Sequence, residues 1–296
     1  MSIAIQIGQI MFPLIAIVSV GIFIGIRRHP ELDSINDINL HVFIPALVFS
    51  SLLQQQFEFK EFALLGLSGL ALVLITAVIV IPLARVFNIE YRTLAPPMMF
   101  HNAGNIGLPL MSLALGPKGL AAGLILFLVG NITHFGIGSY MLDQNAKWIR
   151  SLTSPAILAA ILALLLQSQN VQVASFISLP IDMLGSIAVP LMLFSLGVQL
   201  AKANLYFWKL GLLVGFLTPA IGVVLALIIA SVTPLEKTQI GALILFGALP
   251  PAVMNFLFAK RYQQEPTKVS AIVLVGNLLA IITLPLALFF VLPRFS

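Results

Sequence analysis

The residues of this chain best suited to chemistry are amides, imidazoles and prolines crowded into two short stretches. The first runs Ala95-Pro96-Pro97-Met98-Met99-Phe100-His101-Asn102-Ala103-Gly104-Asn105-Ile106-Gly107-Leu108-Pro109, and the second runs Gly247-Ala248-Leu249-Pro250-Pro251-Ala252-Val253-Met254-Asn255. Proline removes a backbone donor and clashes with the preceding turn, and glycine adds backbone freedom. A continuous helix through either stretch is therefore not expected, and the first predicts a break near Asn105. Each break creates a helix N-terminus with free N–H groups and partial positive charge. Two such ends facing one another favour an anion, a carboxylate above all.

Asn131 and Asn277 stand in a second pair of like surroundings, Leu128-Val129-Gly130-Asn131 and Leu274-Val275-Gly276-Asn277. An asparagine in an apolar span needs partners, and these two either meet a substrate or brace the freed backbone of a neighbouring span. Their equivalent places favour bracing. His101 and His134 are the titratable groups nearest the breaks. Each either carries a coupling proton or rests as a neutral, hydrogen-bonded ring. His41 reads as structural. Asp37 and Asp182 lie near expected span ends, where a carboxylate at a helix start is stabilising without chemistry. Asp143 reads as an interfacial loop residue.

The elements that must position these groups are membrane spans. The chain of 296 residues is 60% hydrophobic and 8% charged, against about 25% charged in a soluble domain. Its mean hydropathy is +1.09. Lipid must be the solvent for most of such a chain. With no cysteine, disulfides, thiolate metal sites and cysteine nucleophiles are excluded. The net charge of +5 does not point to nucleic acid, because Lys and Arg sit in short loops rather than on one basic face. The first apolar run lacks a basic leader and a small-residue cleavage site, so it reads as a retained span. No Walker loop, metal-spaced cluster or nucleophile elbow is present, and no Asp or Glu lies deep in a span. An enzyme, an ATP-driven pump, a cofactor and a metal site are not expected.

Ten spans fit the pattern, near 7–26, 34–53, 62–84, 93–115, 119–141, 154–169, 180–200, 207–230, 238–259 and 267–292. They also repeat. Ile44–Gln54 and Val189–Gln199 share Pro45/Pro190, Phe49/Phe194, Ser50/Ser195 and Gln54/Gln199 at a constant offset of 145. At that offset Asn105 falls on Pro250. Five spans per unit is an odd number, so the second unit must cross the membrane in the opposite sense, as inverted repeats do. Arg27, Arg28, Arg85, Arg92, Lys147, Arg150, Lys202, Lys209, Lys260, Arg261 and Lys268 follow odd-numbered spans, while only Lys60, Lys118, Lys237 and Arg294 lie on the other side. The positive-inside rule then puts the odd loops in the cytoplasm and both termini outside the cell membrane.

The stretch Asn102-Ala103-Gly104-Asn105-Ile106-Gly107-Leu108-Pro109, with Ala248-Leu249-Pro250-Pro251 running on to Phe258-Ala259-Lys260-Arg261-Tyr262, resembles the auxin efflux carrier family, and the likeness covers nearly the whole chain. The resemblance implies an all-α membrane fold of ten helices in two inverted five-helix repeats, residues 1–145 and 146–296, with helices 4 and 9 broken and crossing. It implies a scaffold of helices 1, 2, 6 and 7, a mobile transport domain of helices 3–5 and 8–10, and a homodimer through the scaffold. Carried onto this chain, the candidate substrate residues are Asn102, Gly104, Asn105 and Pro109 at the first crossing and Pro250, Pro251 and Asn255 at the second, joined by Asn131 and Asn277. The short loop Gln144–Thr153 departs from the plant carriers, which favours a bacterial type of organic-anion carrier. The expectation is secondary transport of a small organic anion, an auxin-like weak acid or a dicarboxylate, by an elevator movement. The alternatives are a sodium-coupled symporter of bile-acid type and a ligand-sensing membrane domain that moves nothing.

Overall fold

The computed structural model describes residues 2–54, 59–143, 153–169, 171, 173–201 and 206–295. Every regular element among them is helical. α1 covers Ile3–Arg28. α2 (Asp33–Ile38) runs through a wide π turn at Asn39–Phe43 into α3 (Ile44–Gln54). α4 is Phe59–Val86 and α5 is Tyr91–Met99. A second π turn, Ala103–Gly107, opens α6 (Leu108–Thr133). A third, His134–Gly138, joins it to α7 (Ser139–Leu142). Then follow α8 (Pro155–Ser168), α9 (Ser175–Leu200), α10 (Trp208–Val232), α11 (Lys237–Ala248), α12 (Met254–Arg261) and α13 (Pro266–Phe295).

Among the described residues, seven helical stretches are long and apolar enough to cross a bilayer. The longest, Ala103–Leu142, has 40 residues and as one rod would reach about 60 Å, roughly twice the hydrocarbon thickness. It is two passes. Gly116 takes φ 67 and ψ −158, a conformation open essentially to glycine alone. A methyl built on Gly123 would stand 2.7 Å from Met111 Sδ and 3.4 Å from Leu108, and one on Gly119 would stand 2.6 Å from the Met111 carbonyl oxygen. Residues that far apart in sequence touch only because the chain doubles back at Gly116–Pro117.

Large apolar side chains such as Phe12, Leu67, Val78, Leu286 and Phe289 point outward and are exposed, the surface expected where lipid is the solvent. Inside, α1 lies against α9 with their backbones touching: a side chain on Gly197 would overlap the Val18 carbonyl, and one on Gly21 the Phe194 carbonyl. Small residues allow this approach, which is how helices gain packing energy in lipid. α3 packs on α8 and α9, while α10 packs on α11, α13 and α4, and α11 also on α6.

α9 begins at Ser175, five residues before the expected start at 180, so Asp182 lies in its second turn rather than at its end. There it accepts a hydrogen bond from Gln54 Nε2 at 3.2 Å. His41 Nδ1 meets the Asp37 backbone oxygen at 2.9 Å. Asp143 closes α7. Residues 144–152 of the expected short loop, with Lys147 and Arg150, lie outside the described residues, as does Lys202.

Candidate functional site

The two proline-rich stretches meet. α5 stops at Met99, and Phe100 is extended at φ −108 and ψ 102. α11 stops at Ala248, and Leu249 is extended at φ −66 and ψ 148, the region that a following proline imposes. The extended pieces run antiparallel through a bridge between His101 and Pro251. Asn102 N–H donates to the Pro250 oxygen at 2.8 Å, and Ala252 N–H donates to the Phe100 oxygen at 2.9 Å. Each break thus satisfies part of the other's backbone, as an environment without water demands.

Three side-chain amides complete the bracing. Asn277 Nδ2 donates to the Pro251 oxygen at 3.0 Å and to the Val273 oxygen at 2.7 Å. Its Oδ1 accepts from Asn102 Nδ2 at 2.7 Å. Asn255 Nδ2 donates to the Phe100 oxygen at 3.1 Å and to the Ala252 oxygen at 2.9 Å.

The first break therefore falls at Phe100–Asn102, not near Asn105. Gly104–Pro109 remains helical: the π turn Ala103–Gly107, closed by the Leu108 N–H donating to the Ala103 oxygen, carries the chain straight into α6, whose second residue is Pro109. The place of the break is set by the segment it pairs with, which local composition does not reveal.

One cavity of about 310 Å³ opens beside the crossing. Asn102, Gly104, Asn105, Asn131, His101 and His134 line it. So do Val253 and Met254 from the start of α12. The amides of Gly104 and Asn105, and those of Val253 and Met254, open the first turns of their helices and find no backbone acceptor. Residues from the first turn after each break thus line the same hollow. The remaining candidates, Pro109, Pro250, Pro251, Asn255 and Asn277, do not line the cavity; they build or brace the crossing behind it. Asn131 also differs from the expectation of bracing. It is half-buried and turned to the cavity while its counterpart Asn277 is buried and bonded.

Both histidines are enclosed by aromatic rings. His134 stacks on Phe100 with centroids 4.2 Å apart and an 11° tilt, and approaches Phe258 at 4.7 Å. His101 meets Phe246 edge-on at 5.2 Å. Neither ring nitrogen of His101 has a hydrogen-bond partner, nor does Nε2 of His134. Both rings therefore hold unused polar atoms at the cavity wall. The remaining wall escaped sequence reasoning. It consists of Asp33, Asn36 and Asp37 on α2, Asn39 in the first π turn and Gln199 near the end of α9. Asp37 and Gln199 carried a signal, since each has a repeat partner, but a carboxylate near a span end reads first as a helix-start residue.

A helical protein with an outer surface suited to lipid, whose two interrupted segments cross beside a cavity, has the architecture of a membrane transporter. Residues 141–288 match the family model described as membrane transport protein. That is half of the chain, and the chain belongs to this family, the auxin efflux carrier family of membrane transporters, which is not a family of enzymes. The matched stretch includes the second crossing segment, Asn255 and Asn277. No curated protein matches the chain.

Proposed function

We propose that the chain is a secondary carrier of a small organic anion, whose carboxylate sits between the first turns after the two breaks. One observation carries this reading: Gly104, Asn105, Val253 and Met254, whose amides have no backbone acceptor, line a single cavity. Asn102 and Asn105 are the substrate-facing amides of the first segment. Hydrogen bonds to a charged acceptor are about twice as strong as neutral ones, and N-terminal dipoles add to them.

In this reading the chain has ten spans in two inverted repeats. The reversal at Gly116 and the two broken segments support that count. α1, α2, α3, α8 and α9 would form the scaffold and the remaining helices the transport domain, which slides past the scaffold in an elevator cycle. The cavity is lined by the start of α2, the end of α6 and the end of α9. By the distribution of Arg and Lys these ends are cytoplasmic, so the cavity opens inward and both termini lie outside. The carrier would work as a homodimer joined by its scaffolds, which native mass measurement of the detergent-solubilised protein tests.

Electrical recording on proteoliposomes, challenged in turn with monocarboxylates, dicarboxylates and amines of like size, tests the function. Currents or saturable binding with carboxylates and none with amines lacking a carboxylate are expected. A cavity that binds amines alone would refute the anion site. Repeating the measurement with and without a sodium gradient separates an independent carrier from a sodium-coupled one.

A further inference from the structure

A second, smaller hollow of about 90 Å³ lies apart from the cavity at the crossing. α9 borders both: Met192 lines the first, while Leu193, Leu196 and Leu200 line the second. α1 forms another side of this cleft from Met11 to Ile22, and α13 forms a third from Asn277 to Leu284. Ile106, in the π turn after the first break, reaches it as well. Ser19 and Asn277 are its polar residues, and the Asn277 amide is already bonded at the crossing. The rest of the lining is aliphatic apart from Met11. Ile15, Ser19, Leu278 and Ile281 are exposed, so the cleft opens on the outer surface between α1 and α13.

We infer that one acyl chain of a membrane phospholipid occupies this cleft and holds α13 in its present place against α1 and α9. Depth, size and lining select this occupant. The cleft lies along the middle of α1 (Ile3–Arg28) and of α13 (Pro266–Phe295), both long enough to cross a bilayer, so its mouth meets hydrocarbon rather than water or headgroups. A helix of a second copy, about 10 Å across, is too wide for it, whereas a single methylene chain is not. Apolar space of this kind stays dry and leaves its walls short of dispersion contacts, which a hydrocarbon chain supplies. The binding stands on the cleft alone; its effect on transport rests on the proposed carrier reading. In that reading α1 and α9 belong to the scaffold and α13 to the transport domain, so the walls slide past one another. A chain fitted to the present arrangement binds it better than any other and shifts the population toward it.

The test uses the full chain in phosphatidylcholine liposomes doped with a phosphatidylcholine that carries a diazirine midway along one acyl chain. After photolysis, peptide mass spectrometry locates the adducts. They should concentrate on Ile15, Ser19, Leu278 and Ile281. Val20 and Ile282 are the controls: both are exposed and next in sequence to cleft residues, hence at the same depth, but neither lines the cleft. Ser19→Phe fills the cleft from α1 and Leu278→Phe from α13. Both positions are exposed, so neither change displaces a core side chain, and each should abolish the enrichment while labelling of the controls persists. Equal labelling of cleft and control positions would overturn the site, as would enrichment that survives both substitutions. A disulfide-linked dimer of Ile281→Cys, which would place a second copy over the mouth, would overturn it too. Carboxylate uptake by the same liposomes should fall in proportion to the labelled fraction, and undiminished uptake would refute the hold on α13. Absence of uptake before photolysis would refute the carrier reading instead and leave the acyl site to the labelling.

Discussion

Asn277 joins three elements at once: its own helix through the Val273 oxygen, the second crossing segment through the Pro251 oxygen, and the first through the Asn102 side-chain amide. Leucine fills a similar volume but offers no polar atom. Asn277→Leu should leave the Pro251 oxygen and the Asn102 amide unpaired in a dry interior, at about 1–3 kcal/mol for each group. A melting temperature several degrees lower is expected in detergent, followed by tryptophan fluorescence. Asn131→Leu should scarcely change melting, because Asn131 is half-buried at the cavity. Equal losses in the two variants would show that the repeat-related asparagines are alike after all. Asn105→Ala removes a donor to a charged acceptor, worth about 1.5–3 kcal/mol, and should weaken carboxylate binding by roughly ten- to hundredfold. The pair Asn131/Asn277 also shows what the sequence could not supply. The two share identical neighbours, yet one faces a hollow and the other a protein interior, and only the packing of other helices separates them. Pro250 and Pro251 follow the last turn of α11 and mark its break, whereas the adjacent Pro96 and Pro97 lie inside α5, so a proline pair alone does not place a break.

At the scale of elements, the turn from α12 to α13 carries a polar clamp onto α5. Thr93 Oγ1 donates to Glu265 Oε2 at 2.7 Å, Gln264 Nε2 donates to Thr93 Oγ1 at 3.1 Å, and Lys268 pairs with Glu265. Partial burial raises the Glu265 carboxyl pKa, but the hydrogen bonds from Lys268 and Thr93, with the Lys268 charge, together hold it below the ordinary value. A carboxyl lowered in the folded state contributes stability above its unfolded pKa, near 4.3, and loses it as pH falls through the folded value. Glu265→Gln should therefore melt slightly below the wild type at pH 7, by less than about 1 kcal/mol for so exposed a pair. The difference should fade as the pH drops below about 4; a difference that grows in acid would contradict the assignment.

The same scale reveals an asymmetry between the halves. Gln54 and Asp182 are bonded, whereas their partners at the 145 offset, Gln199 and Asp37, both line the cavity with no bond between them. In the proposed elevator cycle α3 and α9 both belong to the scaffold, which does not move within itself. The chain has no cysteine, so a Gln54→Cys/Asp182→Cys variant contains a single thiol pair. Cross-linking that pair should leave transport intact; arrest would show that these two helices separate during the cycle.

For the whole molecule, the decisive prediction is sidedness. If the arginine-rich ends are cytoplasmic, a lone cysteine placed by Asn36→Cys should react with an impermeant maleimide in inside-out vesicles and not in intact cells. Labelling from outside would invert the topology. That the chain is a bundle of long apolar helices was readable in the sequence, because apolar length and scarcity of charge are enough to mark them. The wall of Asn36, Asn39 and Gln199 was not, because it forms only when α2 and α9 come side by side.

The three π turns, Asn39–Phe43, Ala103–Gly107 and His134–Gly138, each contribute residues to the one cavity. Such turns hold an extra residue within the winding and are found mostly at working sites. A rod with slack in its winding can be drawn tighter without being cut. Rewinding any of the three to the ordinary pitch would twist the side chains on one flank of the hollow against those on the other. The chamber could then reshape itself around a passenger while the outer wall of helices, in contact with lipid, stays as it is.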